Sequence, residues 1–389
     1  MLHLLPIEIV KSIVPTTSQL AILANVCKTW KVLVDTVWCT SGIDIDAKYA
    51  SILCHPRWKP LRCLTLRGDY SSLSIDLIVR LGHHLACVNH IQLKPYITAF
   101  LLKHTTRMIG AFGNSFAAVR HFALISTGPM SSTPWIKPMH IHTNSVTDFI
   151  STGQHIAVAL IDAPLKHAIL EDQRFGWSAI EAVVSGSPRS SHSLQYLELT
   201  VYKPFVCLPF EAIQVLKLHV HEITTPTCLN AHLLALSRLP ASLVSLHLHL
   251  NFDRYDDNDS SAQPAWSGTH LGNLTRVKAC HITVSRPVDL FECLVPRMWG
   301  VHQDVSEISI TSAKEFGMYE HEHIDELKLA GVDPDDSEFD DELHDAQLQC
   351  AKAGIFRERV SQLRSHFPTT NINVMFGTVH HHIPPPYPP

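Results

Sequence analysis

The chain has 389 residues, 46% hydrophobic and 17% charged, a balance typical of a folded protein rather than a disordered one. The net charge of −5 is local: residues 333–345 carry eight acids and no Lys or Arg, so the overall charge favours neither nucleic acid nor a membrane as partner. The chain has no run of 18 apolar residues and no cationic leader, and its ten cysteines form no C-x-x-C pair, so we expect a cytoplasmic or nuclear protein with reduced thiols.

The first 38 residues have the pattern of a small helical module. Pro6 suits the first position of a helix, where its missing N–H costs nothing, and Pro15 ends that helix. A second apolar face recurs at helical spacing over Leu20, Leu23, Cys27, Trp30 and Val34. Such a short module buries little apolar surface alone, so these side chains predict a docking face for another protein. The alternative is that they pack against the segment that follows.

From residue 61 onward, short blocks of the form apolar-x-x-apolar-x-apolar recur with a spacing near 30 residues, which indicates a repeat. The middle residues of the blocks are Leu64, Ile91, Phe122, Leu197, Leu216, Leu246 and Ile308, with a weaker copy at Val277. The gap between Phe122 and Leu197 has room for a further copy at Phe149 or at Leu160. Amphipathic helix patterns lie between blocks, among them 72–81 and 97–112.

Strands that alternate with helices at a fixed period predict an α/β solenoid whose curved parallel sheet carries outer helices. An ordinary doubly wound α/β domain is the alternative, but the Gly-rich phosphate loop expected there is absent. The predicted organisation is a helical module over residues 1–42, a repeat domain over 43–378 and a Pro-rich tail over 379–389. The acidic composition of about 320–345 predicts a mobile excursion.

Two N-terminal motifs and the repeats carry a family resemblance. Leu5-Pro6-x-Glu8-Ile9 followed by Val26-Cys27-Lys28-x-Trp30 resembles the F-box, and the blocks resemble degenerate leucine-rich repeats, so the chain resembles the divergent F-box/leucine-rich-repeat family. The resemblance implies a three-helix F-box that binds a Skp-type adaptor joined to a cullin scaffold. It implies that the adaptor contacts come from Leu5, Pro6, Ile9, Leu20, Val26, Cys27 and Trp30.

The predicted function is therefore a non-catalytic substrate-recognition subunit of a cullin-type (SCF) ubiquitin ligase. A repeat scaffold for protein–protein interaction, not linked to ubiquitination, is the alternative. The target contacts are expected on the concave sheet face, from the polar residues between the repeat leucines: Thr65, Arg67, Gln92, Lys94, Glu198, Thr200, Lys217, His219, His247, His249, Ser309 and Thr311. A further partner, a WW-domain protein, is suggested by the P-P-x-Y match at Pro384–Tyr387, with an unstructured end as the alternative.

Histidine occurs 27 times, often as H-x-H, as in His219/His221 and His247/His249. Alternate residues of a strand share a face, so such pairs bind a metal if further ligands converge. Solvated histidines that become cationic between about pH 7.5 and 5.5 are the simpler prediction. No nucleophile signature, phosphate loop or ordered ligand set is present, so we expect no enzyme activity, no cofactor and no metal.

Overall fold

The computed structural model describes residues 32, 42–98, 100–128, 139–153, 156, 158–171, 189–203, 210–221, 231–232, 240–251, 277–284, 306–312, 361, 364–365, 367–376 and 379–383. The chain divides into two compact units, Met1–Leu197 and Glu198–Pro389, a division that falls inside the repeat domain predicted over residues 43–378. Each unit contains a series of parallel strands, and the described helices are few. The α/β class and the repeat-like parallel sheet are thus confirmed.

The first unit is built on one main parallel sheet. Its strands are β1 (Ile43–Asp46), β2 (Cys63–Gly68), β3 (His90–Pro95), β4 (His121–Ile125), β5 (Met139–His142), β6 (Asp148–Thr152), β7 (Val158–Ile161) and β8 (His167–Glu171). The main sheet has the order β1-β2-β3-β4-β6-β8 with parallel pairs, whereas β5 and β7 pair in a separate two-stranded sheet. The α-helices are α1 (Ile75–His84), α2 (Leu102–Ser115) and α3 (Ser190–Ser193), and 3-10 turns cover Ala47–Cys54, Pro56–Trp58 and Tyr70–Ser72.

The second unit repeats the pattern, and β9 (Tyr196–Val201) spans the division between the units. The further strands are β10 (Val215–Val220), β11 (Ser245–Leu250), β12 (Ala279–Val284), β13 (Glu307–Ser312), β14 (Asn371–Phe376) and β15 (Val379–Ile383). Strands β10 to β14 pair in chain order and in parallel, and β15 pairs antiparallel with β14.

Strand β15 lies in the segment predicted as a Pro-rich tail, so the sheet extends to Ile383. The physical reason is that residues 379–383 contain no proline. Each of them has a backbone N–H to donate to a neighbouring strand, and the proline run begins only at Pro384.

The core of each unit is formed by rows of apolar side chains that register across neighbouring strands. Leu64, Ile91, Phe122 and Phe149 form one such row in the first unit. In the second unit the row is Leu216, Leu246, Cys280 and Ile308. Each of these side chains is at most 3% exposed, and Leu197 on β9 is fully buried, so the prediction that the middle residues of the seven main blocks face a core is confirmed. For the weaker copy the predicted middle residue was wrong: Cys280, not Val277, registers with Leu246, and Val277 lies two residues before β12.

The gap between Phe122 and Leu197 contains two strands of the main sheet, β6 and β8. Phe149 lies on β6, beside β4, and stacks on Phe122 at 6.3 Å between ring centroids. Leu160 lies on β7, in the small separate sheet. Phe149 is therefore the repeat residue, and β8 is a strand that the periodicity missed because the small Ala168 occupies the position of the middle leucine.

The two helices predicted over residues 72–81 and 97–112 begin later in the structure than their apolar patterns indicated. Helix α1 begins at Ile75 because the Ser74 side chain accepts a hydrogen bond from the Leu77 N–H at 3.2 Å, which caps the first turn. Helix α2 begins at Leu102 because Ile97 is held in extended structure, where its N–H donates to the Thr127 carbonyl at 2.7 Å.

Successive strands are joined by the same backbone contact in both units. Asn89 and His90 both donate their N–H groups to the Arg62 carbonyl, at 3.0 and 3.1 Å. In the second unit Val244 and Ser245 do the same to the Gln214 carbonyl, at 2.8 and 2.9 Å. This shared acceptor sets the register at which each strand starts, and hence which residues occupy one row.

In three places a serine that lies three residues before a strand adds a side-chain hydrogen bond to this backbone contact between successive strands. The hydroxyl groups of Ser145, Ser193 and Ser242 donate to the carbonyls of Val119, Leu165 and Ile213, at 2.7, 2.7 and 2.8 Å. In each case the acceptor lies two residues before the preceding strand of the sheet. The recurrence of this side-chain contact is evidence that the strands belong to one repeat.

Candidate functional site

All the predicted target contacts lie on the face of the sheet opposite the core. Successive side chains of a strand point to opposite sides of the sheet. Where the leucines are buried in the core, the residues next to them in the strand therefore face the other side. None of the twelve predicted residues is buried: Thr65, Arg67, Gln92, Lys94, Glu198, Thr200, Lys217, His219, His247, His249, Ser309 and Thr311 are all half-buried or exposed.

In the first unit the predicted residues form two short rows on β2 and β3. Thr65 registers with Gln92, and its hydroxyl donates to the Gln92 amide oxygen at 3.4 Å. Arg67 registers with Lys94 and has the Asp44 carboxylate on its other side, at 3.5 Å from its Nε. Both members of the Arg67–Asp44 pair are solvent-exposed, so the pair contributes little to stability and leaves the arginine accessible to a partner.

In the second unit six predicted residues, together with His281 and Thr283, form two longer rows. Lys217, His247, His281 and Ser309 register on β10 to β13. His219, His249, Thr283 and Thr311 form the parallel row, in which the two threonine hydroxyl groups lie 2.8 Å apart. The polar face of this unit therefore combines imidazole rings with hydroxyl groups over four consecutive strands.

The imidazole rings of the second unit lie close together across strands. His247 stacks on His281 with ring centroids 4.3 Å apart, and His219 lies 5.5 Å from His249. His221 stacks on Tyr202 at 5.4 Å. His281, His221 and Tyr202 were not predicted as contacts, although the H-x-H pattern on β10 and β11 indicated a histidine-rich face.

Burial lowers the pKa of three of these histidines. For His219, His247 and His249 it is the main cause, and nearby imidazoles add to it: His281 beside His247, His219 and His221 beside His249. Glu198 opposes the shift at His219, with its carboxylate 3.5 Å from the ring, and also lies 3.7 Å from the Lys217 amine. His219, His247 and His249 therefore take up protons at a lower pH than ordinary histidines do.

The first unit carries a second histidine row that sequence reasoning missed. Its members are the first residues of successive strands: His90, His121, Asp148, His167 and Tyr196. The Nδ1 atoms of His121 and His167 lie 3.2 and 2.7 Å from the two Asp148 carboxylate oxygens. His90 stacks on His121 at 5.2 Å, and His167 meets Tyr196 edge-on at 5.9 Å.

Hydrogen bonding determines the ionisation of Asp148. Burial alone would raise its pKa, but the Thr147 hydroxyl, at 2.6 Å, and His167 donate to the carboxylate and hold the pKa below its usual value. The carboxylate therefore stays charged, and an imidazole that donates through Nδ1 presents Nε2 to solvent. A sequence signal for this row does exist: a basic residue directly precedes histidine in Arg120-His121 and in Lys166-His167, at the same position of two blocks.

Several predicted features lie outside the described residues. They are the adaptor contacts Leu5, Pro6, Ile9, Leu20, Val26, Cys27 and Trp30, the acidic segment at about 320–345 and the P-P-x-Y motif at Pro384–Tyr387. Within the part of the chain that the structure describes, no group of three or more His, Cys, Asp or Glu side chains is arranged to hold a metal ion. No helix in that same part is long and apolar enough to span a bilayer.

No protein-family model matches the chain, and a search of curated proteins finds no match. Its surfaces described above and the motifs of its sequence are therefore the features that bear on its function.

Proposed function

We propose that this protein is the substrate-recognition subunit of a cullin-type (SCF) ubiquitin ligase. Residues 1–42 form a three-helix F-box that binds a Skp-type adaptor and, through it, the cullin scaffold. Residues 43–378 form a leucine-rich-repeat-like solenoid, a curved sheet with outer helices, whose polar face binds the target protein. The complex acts in the cytoplasm or the nucleus.

The observation that carries the proposal is the polar face of the repeat strands. On the strands that carry the predicted contacts, the core-facing residues are buried leucines or isoleucines, while most of the opposite residues are polar or charged. In the first unit the polar row of Thr65 and Gln92 ends at β3, because the positions in register on β4, β6 and β8 are Ala123, Ile150 and Ile169. Hydrogen-bonding groups repeated over neighbouring strands suit a broad protein surface better than a small apolar ligand, which requires an enclosed pocket. The F-box motifs at Leu5–Ile9 and Val26–Trp30 support the link to the ligase.

The chain itself performs no bond chemistry in this function. The F-box fixes the receptor on the scaffold, and the repeat face holds the target so that a target lysine lies near the charged ubiquitin-conjugating enzyme. Holding two reactants together converts a bimolecular step into an effectively unimolecular one, which is the whole catalytic contribution expected from such a receptor.

Adaptor binding tests the proposal directly. The full-length chain should bind a purified Skp-type adaptor in a calorimetric titration, and Trp30→Ala or the double variant Leu5→Ala/Pro6→Ala should abolish binding, because each large apolar anchor contributes about 2 kcal/mol or more. Lys31→Ala is the matched control, since its helical position lies off the predicted docking face. Absence of binding by the unsubstituted chain at micromolar adaptor would refute the ligase function.

The second candidate is a repeat scaffold that binds proteins without any link to ubiquitination. The same polar face favours it, and its N-terminal helices would then cap the repeat array. The adaptor titration separates the two functions, because a scaffold would bind a protein through the sheet but not the adaptor. A WW-domain protein at Pro384–Tyr387 remains a proposed additional partner in both cases.

A further inference from the structure

The starts of the strands in the first unit carry a set of exposed basic side chains. Arg62, Arg120 and Lys166 directly precede β2, β4 and β8, and their side chains are exposed. His90, His121 and His167 are exposed at the first positions of β3, β4 and β8. These six residues are called the strand-start strip below. At the corresponding positions of the second unit Lys278 is basic but Gln214, Val244 and Ser306 are uncharged, so the recurrence of basic residues at every second strand is a property of the first unit.

The charge of the strip is not neutralised within the described residues. Arg62, Arg120 and Lys166 form no ion pair with any residue that the structure describes. Asp148 is the acidic residue at the strand starts of this sheet. Its carboxylate already interacts with the His121 and His167 rings and accepts a hydrogen bond from the Thr147 hydroxyl. Three permanent positive charges therefore face solvent here at neutral pH, and the imidazoles add hydrogen-bonding groups between them.

The spacing of these charges defines the shape of a complementary partner. Arg62 and Arg120 belong to strands two places apart in the sheet, and so do Arg120 and Lys166. Neighbouring strands lie about 4.8 Å apart, so the basic positions recur at about 10 Å. A segment in the extended polyproline II conformation advances about 3.1 Å per residue with three residues per turn, so every third side chain lies on one side and meets a basic residue of the strip.

We propose that the strand-start strip binds an extended acidic segment of the target protein, which crosses the strands with a carboxylate at every third residue. This deepens the proposed receptor function, on which it rests, by naming the chemistry of the target. The strip supplies charge complementarity and a fixed spacing, and the exposed imidazoles pair with the backbone and side chains between the acids.

A peptide titration on the full-length protein tests this inference. The probe is a fluorescein-labelled peptide of about twelve residues with Glu at every third position and Gly and Ser elsewhere, followed by fluorescence anisotropy at about 20 mM salt. We expect it to bind tighter than a peptide of the same composition whose glutamates are contiguous. The double variant Arg120→Gln/Lys166→Gln should weaken binding of the spaced peptide by about three- to tenfold, because exposed charge pairs contribute modestly.

The matched control removes two exposed basic residues elsewhere in the same unit. Arg80→Gln/Lys103→Gln changes net charge equally, on α1 and α2, and should leave the affinity unchanged. Equal weakening by both double variants, no preference for the spaced peptide, or no binding of it at millimolar concentration would overturn the inference. The adaptor titration is separate, so failure of the strip and failure of the ligase function give different results.

Discussion

Truncation of Leu216 tests whether the strands form one cooperative repeat. Leu216 is fully buried on β10 and registers with Leu246 on β11. Leu216→Ala removes three carbon atoms, and at about 0.8 kcal/mol for each buried CH₂ the lost transfer free energy is about 2.4 kcal/mol. A cavity beside Leu246 adds to this, so we expect the free energy of unfolding to fall by about 3–4 kcal/mol. Leu216→Asp, which buries a charge, should unfold the surrounding strands.

Urea unfolding followed by circular dichroism measures the loss, and hydrogen exchange read by mass spectrometry locates it. In a repeat array each strand is stabilised by its neighbours, so amides of β10 and of its neighbour β11 should lose the most protection and those of β13 the least. Val244→Ala is the control: this side chain is 40% exposed, and its loss should change stability by less than about 0.5 kcal/mol. Uniform loss of protection over β10 to β13, or a Leu216→Ala cost as small as that of the control, would refute the reasoning.

Two further predictions concern hydrogen bonding and pH. Ser242→Ala should cost about 1 kcal/mol in urea unfolding, because its hydroxyl group lies 2.8 Å from the Ile213 carbonyl. His232 is 1% exposed, and burial lowers its pKa from 6.5 to about 4, so the unfolded chain binds more protons as pH falls below 6.5. Stability should therefore drop by about 2 kcal/mol between pH 7.5 and pH 5. His232→Leu should remove this dependence, and an unchanged pH profile in that variant would contradict it.

The sequence predicted the repeat because the repeat depends on a local pattern. Each block places buried residues two apart, as at Leu64 and Leu66, and alternate residues of a strand must share a face. The same rule places the predicted contacts, such as Lys217 and His247, on the opposite face. The register between strands was needed only to show that these two residues are neighbours.

Other features depend on contacts that no local pattern contains. Strand β8 has Ala168 at the position where the repeat pattern places a large apolar residue, so only the pairing of β8 with β6 identifies this strand. Asp148 is unremarkable in the sequence, yet the fold brings His121 and His167, from either side, onto its two oxygens. The lowered pKa values of His219, His247 and His249 likewise follow from burial and from neighbours on other strands, so a rule for ordinary histidines overestimates their protonation.

The backbone hydrogen bonds that join the starts of successive strands keep the same register whatever the length of the connection between those strands. Only 19 residues separate Asp148 from His167, whereas 64 separate Glu307 from Asn371. In both places the later strand still donates to the carbonyl that precedes the earlier one: His167 to Thr147 at 3.1 Å, and Asn371 to Ser306 at 3.0 Å. Because the cost of closing a loop rises only slowly with its length, the connections are natural places to insert an epitope or a reporter domain while the binding face stays intact.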